Sequence, residues 1–409
     1  MENARADALP AYALFAAMLA SAGLPIYIHA PKFFVDTYGV SLASLGAVLF
    51  GLRLLDVVQD PAFGWLADKT RQVRRATIFL AVAVLAVSMI GLFAVEPPVA
   101  PLLWFALCLT GLFSAFSFLT ICFYAQGVTK AEGMGDGHFR LAAWRETGAL
   151  LGVCAAAAAP TLLLGFDSPF ALFALGFGIV CVLGYLAMRR EWRASEISGE
   201  TGFRDVLRDA TARRLLLIAL VNAAPVAVSS TLFLFFVESR LLAPGWEGPL
   251  LLLFFLAAAM SAPVWGRLAQ RYSAKRVLLS AMVLAILAFG YAAALGAGDT
   301  AAFAIICLAS GAAMGADLTL LPAIFARHMS VVAPNAAQAF GLWSFVSKFT
   351  LAFAAVTLLP LLEAAGFTSG ASNSVEALTM LSVLYALVPC ALKLIAIGLL
   401  ATTDLPESA

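Results

Sequence analysis

The chain has 409 residues, of which 63% are hydrophobic and only 12% are charged, with a formal net charge of +1. A water-soluble domain carries about 25% charged residues, so the composition excludes an ordinary soluble protein. The near-neutral balance gives no reason to expect a nucleic-acid partner. Apolar runs of about 20 residues recur along the chain, and each can cross a bilayer as a helix. We expect an all-α polytopic membrane protein.

The hydropathy pattern predicts twelve transmembrane helices. In chain order they are 10–32, 40–67, 76–95, 101–128, 141–164, 169–189, 214–238, 247–270, 276–296, 301–327, 337–362 and 374–401. Lys and Arg concentrate in the connections that follow even-numbered spans, which predicts that both termini are cytoplasmic. The first apolar stretch lacks a basic start and continues as a full span, so no cleavable signal peptide is expected.

The longest polar stretch, about 190–213, divides the spans six and six. Similar loops follow the second and eighth spans, "GWLADKTRQVRR" and "GRLAQRYSAKR". The first of them, Gly64 to Arg75, resembles the loop signature of the major facilitator superfamily. The resemblance implies the major facilitator fold, with two pseudo-symmetric six-helix bundles that face a central cavity. We therefore predict bundles at 1–189 and 214–409, joined by a cytoplasmic loop at 190–213.

Other functional signals are weak. The six cysteines lie within apolar spans without metal-type spacing, which predicts buried residues of helix interfaces. They are at positions 108, 122, 154, 181, 307 and 390. The sequence contains no nucleophile–base pair, metal-ligand spacing or phosphate-binding loop, so an enzyme, a cofactor or a tightly held metal is not expected.

Charged residues inside the predicted spans are the main clue to function. Arg53, Asp56 and Asp60 lie on one face of the second span, and Gln59 borders that face. Two carboxylates one turn apart repel each other unless a cation or a proton sits between them. The pattern therefore indicates a site for Na⁺ or for a proton shared by coupled carboxyls.

Further charges lie inside other spans, among them Arg145 and Glu146 in the fifth, Asp317 in the tenth and Lys348 in the eleventh. An ionisable group inside a membrane marks a transport pathway or a paired interior site. The alternative is a salt bridge that only locks helices together.

Three stretches resemble the glycoside–pentoside–hexuronide:cation symporters. The pattern Arg-x-x-Asp-x-x-x-Asp-Pro-x-x-Gly-Trp from Arg53 to Trp65 is similar to the helix 2 motif of that family. "RLAAWRETGALLGV" and "QAFGLWSFVSKFTLAFAA" are similar to its helices 5 and 11. The resemblance implies a bacterial inner-membrane protein, monomeric, with membrane lipids and a small-molecule substrate as its partners.

The same resemblance implies the residue roles. Asp56 and Asp60 would bind the coupling cation, with Lys348 pairing from the opposite half. Arg145 would contact sugar or gate the cavity, and Tyr124 would stack on the sugar. The full cation-coupling set is Asp56, Gln59, Asp60, Thr120 and Lys348. The full substrate-binding set is Tyr27, Arg53, Tyr124, Trp144, Arg145, Asp317 and Trp343.

The chain departs from the family pattern at several positions. Gln59 replaces an asparagine, Thr120 and Ala20 replace aspartates, and Arg327 and His328 replace acidic residues. Fewer carboxylates favour H⁺ over Na⁺, while Asp56 and Asp60 remain open as Na⁺ ligands. The loss of an acceptor for sugar hydroxyls at Ala20 weakens the expectation of a disaccharide substrate.

Three functions remain open. The first is cation-coupled symport of a sugar, a glycoside or a similar small polar solute. The second keeps the fold and transports an amphipathic lipid such as a lysophospholipid. The third is a non-transporting sensor or structural protein, and the intact carboxylate pair argues against it.

Overall fold

The computed structural model of the protein describes residues 9–132, 134, 137–163, 165–192, 202–333, 336–368 and 373–405, which form helices and connecting turns without a strand. The first helices are α1 (Leu9–Ser21), α2 (Leu24–Tyr38), α3 (Leu42–Lys69), α4 (Arg74–Phe93), α5 (Pro101–Glu132), α6 (Gly137–Leu162) and α7 (Pro169–Met188). They are followed by α8 (Phe203–Arg208), α9 (Ala210–Phe235), α10 (Glu247–Arg271), α11 (Ala274–Gly290), α12 (Thr300–Val332), α13 (Ala337–Ala364), α14 (Val375–Ser382) and α15 (Val388–Ala401). Within the described residues, eight helices are long and apolar enough to cross a membrane. The all-α membrane fold is confirmed.

Helices cover each predicted span, but the first and last spans are interrupted. A turn at Ala22 and Gly23 separates α1 from α2, and Pro25 at the start of α2 cannot donate a hydrogen bond back into the preceding turn. The last span contains a π-helical turn, Val383–Leu387, between α14 and α15. Pro389 follows directly and removes a donor from the same part of the ladder.

Helix α3 is polar inside and apolar outside. Its N-cap is Ser41, whose hydroxyl accepts a hydrogen bond from the backbone N–H of Ser44 at 3.2 Å. Asp56 and Asp60 lie on the buried face, whereas Val58 is 73% exposed. Surface apolar side chains and buried charges are the reverse of a soluble helix and suit one that faces lipid on one side and a protein interior on the other.

Small residues let α1 and α6 approach closely. A Cβ atom at Gly148 would overlap the backbone of Ala13, and one at Gly152 would overlap the backbone of Ala17. Glycines four residues apart on one helix face are typical of tight packing between membrane helices. The contact fixes the part of α6 that carries Arg145 and Glu146.

By internal contacts the chain divides into two compact units. The first comprises Met1–Val206 with Ala326–Phe345, and the second comprises Leu207–Phe325 with Val346–Ala409. The end of α12 and the start of α13 therefore pack within the first unit. The assignment of bundles to 1–189 and 214–409 stays a prediction.

The second unit has its own aromatic core. Phe236 belongs to a π-helical turn that extends α9, Phe236–Arg240. Its ring stacks on that of Tyr385 with the centroids 4.2 Å apart. The two π-helical turns of this unit thus pack against each other through these side chains.

Candidate functional site

Asp60 is fully buried in the first unit and accepts hydrogen bonds from two serines. The Ser117 hydroxyl of α5 donates to Oδ1, and the Ser344 hydroxyl of α13 donates to Oδ2 at 2.6 Å. Donors to a charged group are strong hydrogen bonds and offset the desolvation of a buried carboxylate. Three helices thus meet at one carboxylate.

Asp56 lies one turn earlier on α3 and is only 3% exposed. The Gln59 amide donates to Asp56 Oδ1 at 2.8 Å, and the Ser114 hydroxyl of α5 donates to Gln59 Oε1 at 3.0 Å. Gln59, predicted at the edge of the coupling site, therefore links Asp56 to α5. The carboxylates, the amide and the hydroxyls form a polar patch between α3 and α5 that can hold a proton.

The same polar patch was predicted to bind Na⁺ as an alternative to a proton. Among the described residues, no group of three or more His, Cys, Asp or Glu side chains could hold one. A Na⁺ ion bound by Asp56 and Asp60 would therefore need hydroxyl, amide or backbone carbonyl oxygens as its other ligands.

Arg145, Glu146 and Tyr124 form a second polar cluster between α5 and α6. Arg145 Nε donates to Glu146 Oε1 at 2.8 Å, and the Tyr124 hydroxyl donates to the same oxygen at 3.1 Å. The Arg145 guanidinium lies over the Tyr124 ring, with its carbon 3.7 Å from the centroid, which is cation–π geometry. One face of the ring predicted to stack on sugar is therefore covered by Arg145.

One atom of this cluster, Arg145 Nη2, is buried without a partner among the described residues. The hydroxyls of Thr120 on α5 and Thr147 on α6 are likewise buried and unpartnered among the described residues. Thr120 lies on α5 one turn before Tyr124, at the position predicted to take part in coupling. A buried donor without a partner costs free energy unless a ligand or water occupies the space beside it.

The predicted site residues outside these two clusters differ in how far they are buried and in the unit to which they belong. Trp144 on α6 is 43% exposed, and Trp343 on α13 is half-buried. Lys348, also half-buried on α13, belongs to the second unit, and its pairing with Asp56 and Asp60 stays a prediction. The side chains of Tyr27 and Arg53 lie outside the described part of the chain.

Asp317 of α12 lies in the second unit and is 8% exposed. Lys393 of α15 forms an ion pair with Asp317 Oδ2 and donates to Asn222 Oδ1 of α9 at 2.8 Å. Sequence reasoning identified Asp317 but missed both partners. The available signal was a single lysine within the apolar run of the last span, "CALKLIAIG".

The end of α3 contacts the start of α13 within the first unit. A Cβ atom at Gly341 would lie 3.0 Å from the Asp60 carbonyl oxygen, and one at Gly64 would lie 3.0 Å from the Ala337 carbonyl oxygen. The absence of both side chains lets the backbones touch. Ser344, one turn beyond Gly341, is thereby held beside Asp60.

Asp68 lies at the end of this contact, just beyond the predicted span. Partial burial is the largest influence and raises the pKa of Asp68 from 3.8 to about 6. Hydrogen bonds from the Gln338 side chain and backbone and the nearby charges of Arg74 and Arg71 act in the opposite direction. The Gln338 side-chain oxygen also accepts from the Phe203 N–H at 2.8 Å. Gln338 thus joins α3, α8 and α13.

Comparison with known proteins bears on the family and the fold of the chain. The sequence matches the family model described as MFS/sugar transport protein over residues 10–407. None of the curated protein sequences matches the chain. Among solved structures, a bacterial homologue of the iron transporter ferroportin in its outward-facing state is similar with a TM-score of 0.71 at 14% identity, covering 96% of this chain and 98% of that chain.

The Escherichia coli fucose:proton symporter FucP is also similar, with a TM-score of 0.68 at 14% identity, covering 97% of this chain and 98% of that chain. At this identity the similarity of the solved structures establishes the major facilitator fold. The family match spans nearly the whole sequence. The chain is therefore a membrane transporter that belongs to the MFS/sugar transport protein family.

Proposed function

We propose that the protein is a secondary active symporter, which couples a sugar, a glycoside or a similar small polar solute to H⁺ or Na⁺ by alternating access. The observation that carries this proposal is the fully buried Asp60 carboxylate, held by hydroxyls from two other helices. A buried carboxylate in a membrane helix is costly and is typical of an ion pathway. Binding of a cation there changes the charge that all three helices contact.

H⁺ is the favoured coupling ion. The polar patch around Asp56 and Asp60 contains two carboxylates, and Thr120 supplies a hydroxyl where the resembled family has a third acid. A proton needs only one carboxylate oxygen, whereas Na⁺ needs several oxygen ligands at once. Na⁺ remains the alternative, with Asp56 and Asp60 as its ligands.

The Arg145 cluster supports a neutral, hydroxyl-rich substrate. Arg145 and Glu146 together carry no net charge, and the unpartnered Arg145 Nη2 can donate to a hydroxyl oxygen. A phosphate group would meet the Glu146 carboxylate beside the guanidinium and would be repelled by it. This argues for a sugar or glycoside ahead of a lysophospholipid, which is the second candidate.

Uptake into proteoliposomes tests the proposal. Neutral sugars, glycosides and a lysophospholipid are offered in turn, with an imposed gradient of H⁺ or of Na⁺. We expect accumulation of at least one neutral sugar or glycoside above its outside concentration, driven by one ion and abolished by a protonophore or by removal of Na⁺. Accumulation of the lysophospholipid alone would favour the lipid function, and no accumulation with either gradient would contradict symport.

We further propose that the protein is a monomer in a bacterial inner membrane, with both termini cytoplasmic and with no cofactor or enzymatic activity. The placement of Lys and Arg supports the orientation. A reporter that works only in the cytoplasm should be active when fused at Ala409 or within 190–213, and a reporter that works only in the periplasm should be inactive there. Activity of the Ala409 fusion in the periplasm would contradict the orientation and the twelve-span count.

A further inference from the structure

The second unit contains a small cavity that the proposed function does not use. It is lined by residues of α9, α10, α11, α12 and α15, and its wall is mostly apolar, with Phe254, Ile286, Phe289 and Met314 among its members. Its two charged lining residues are Asp317 and Lys393, the buried ion pair that Asn222 completes.

One oxygen of the Asp317 carboxylate has no partner. Lys393 binds Oδ2, while Oδ1 is buried and accepts no hydrogen bond from any described residue. The two lining serines cannot supply a proton, because Ser229 donates to the Val226 carbonyl at 3.2 Å and Ser310 to the Ile306 carbonyl at 2.6 Å. Oδ1 therefore requires a donor that enters the cavity.

The size and charge of the cavity restrict that donor. The cavity volume of about 60 Å³ holds a few water molecules, since each needs about 10–15 Å³. A sugar does not fit, because ligand pockets are typically about 300–1,000 Å³. The Lys393 ammonium repels a metal cation at the same place. A proton delivered through water satisfies both restrictions.

We propose that Asp317 is a second proton-binding residue of the transporter, rather than part of the substrate site, and that Asn222 is its positioning residue. A proton from the bulk solvent, passed along the water in the cavity, binds Asp317 Oδ1 and leaves a neutral carboxyl group. The Lys393 ammonium then loses its counter-charge but keeps the Asn222 oxygen as an acceptor. The net charge of the cluster changes from zero to +1.

No other charged group lines the cavity among the described residues. Helices α9, α10 and α11 contribute Pro, Val, Ser, Phe, Ala and Ile side chains, α12 contributes Asp317, and α15 contributes Lys393 and the Cys390 thiol. The charge of the cluster is therefore set by Asp317 and Lys393. A role in transport rests on the proposed symport, whereas proton binding itself does not.

Infrared difference spectroscopy of the purified full-length protein in lipid tests proton binding without transport. Acidification should produce a protonated-carboxyl band with a component that is lost in Asp317→Asn and in the double variant Asp317→Asn/Lys393→Gln. The double variant keeps the cluster neutral and avoids a buried unpaired charge. The control Asp167→Asn, at an exposed loop position, should retain the component. A double-variant spectrum identical to that of the parent would overturn the proposal.

Asn222→Ala provides a second test in which both charges remain. Without the Asn222 oxygen, Lys393 would depend entirely on ionised Asp317. Protonation of Asp317 should therefore require an about tenfold higher proton concentration, which corresponds to the loss of one hydrogen bond to a charged group. An unshifted band would contradict the role of Asn222. In proteoliposomes the double variant should bind substrate, and its uptake should depend less on acidic pH than that of the parent, since Asp56 and Asp60 remain. Uptake like that of the parent at every pH would exclude Asp317 from coupling, and an inactive parent would instead count against symport.

Discussion

The Ser344 hydroxyl lies 2.6 Å from Asp60 Oδ2, although 284 positions separate the two residues in the chain. The bond joins α13 to the carboxylate predicted to bind the coupling ion. A change of charge at Asp60 therefore alters a contact between two helices directly, without an intermediate residue.

Asp60→Asn and Asp56→Asn keep the size of the side chains and remove their charges. Either change should abolish accumulation against a gradient, because the ion can no longer bind, while exchange of substrate across the membrane continues. Parallel measurements of gradient-driven uptake and equilibrium exchange in proteoliposomes check this. If both variants accumulate substrate like the parent, the two aspartates are not the coupling site.

Ser344→Ala and Ser117→Ala each remove one donor to the Asp60 carboxylate, a hydrogen bond of about 1.5–3 kcal/mol. For a proton-coupled carrier the ionised form becomes less stable, so half-maximal uptake should move to a proton concentration about tenfold lower or more. For a Na⁺-coupled carrier the loss of a hydroxyl oxygen should raise the half-saturating Na⁺ concentration. Initial uptake rates measured against each ion distinguish the two.

Ser280→Ala is the control for both serine variants, because its hydroxyl donates within its own helix, to the Val277 carbonyl. It should leave both ion dependences unchanged. Equal shifts in the control and in Ser344→Ala would show that the effect is not specific to Asp60.

Arg145→Lys replaces a planar fork of donors with a single point charge. Substrate affinity should fall at least tenfold, with the ion dependence unchanged. The control variant Arg140→Lys, at an exposed position, should bind substrate like the parent.

Glu146→Gln removes the negative charge beside the guanidinium, so inhibition of uptake by an acidic sugar should become stronger. Binding assays with a neutral and an acidic sugar check both. Unchanged affinity in Arg145→Lys would leave the pair a structural role.

Asp68→Asn should change how stability depends on pH. The raised pKa means that the folded protein binds more protons than the unfolded chain between the ordinary value of 3.8 and about 6. The stability of the parent should therefore fall as pH rises through this range, since ionisation of the partly buried carboxyl is unfavourable. The variant should lack that fall and be more stable above pH 6.

Thermal unfolding in detergent at several pH values measures this difference. Asp167→Asn, an exposed carboxylate, is the matched control and should follow the parent. A pH profile of Asp68→Asn that coincides with that of the parent would contradict the assignment.

Composition and hydropathy were sufficient to predict the helical membrane fold, because lipid demands long apolar helices whatever their sequence detail. The break at Ala22 and Gly23 was not predicted, since a single glycine and a following proline within an apolar run are also compatible with a kinked continuous helix. The π-helical turn before Pro389 was missed for the same reason.

The candidate site was predictable only in its charged members. Asp56, Asp60 and Arg145 are conspicuous because charges are rare inside spans, and Lys393 could have been found by the same criterion. Ser117 and Ser344 could not, because serine is common in membrane helices and only the tertiary structure brings these two beside Asp60. The role of a residue that depends on such partners can be assigned only from the tertiary structure.

The glycine contact between α3 and α13 has a consequence for how the protein can change during evolution. Gly64 and Gly341 lie face to face with backbone atoms 3.0 Å from where either Cβ would sit. A methyl group on either helix would act as a wedge that a smaller partner cannot compensate, because glycine is already the smallest residue. Substitution at one position therefore has no single complementary substitution at the other, and adaptation at this contact must come from movement of a whole helix.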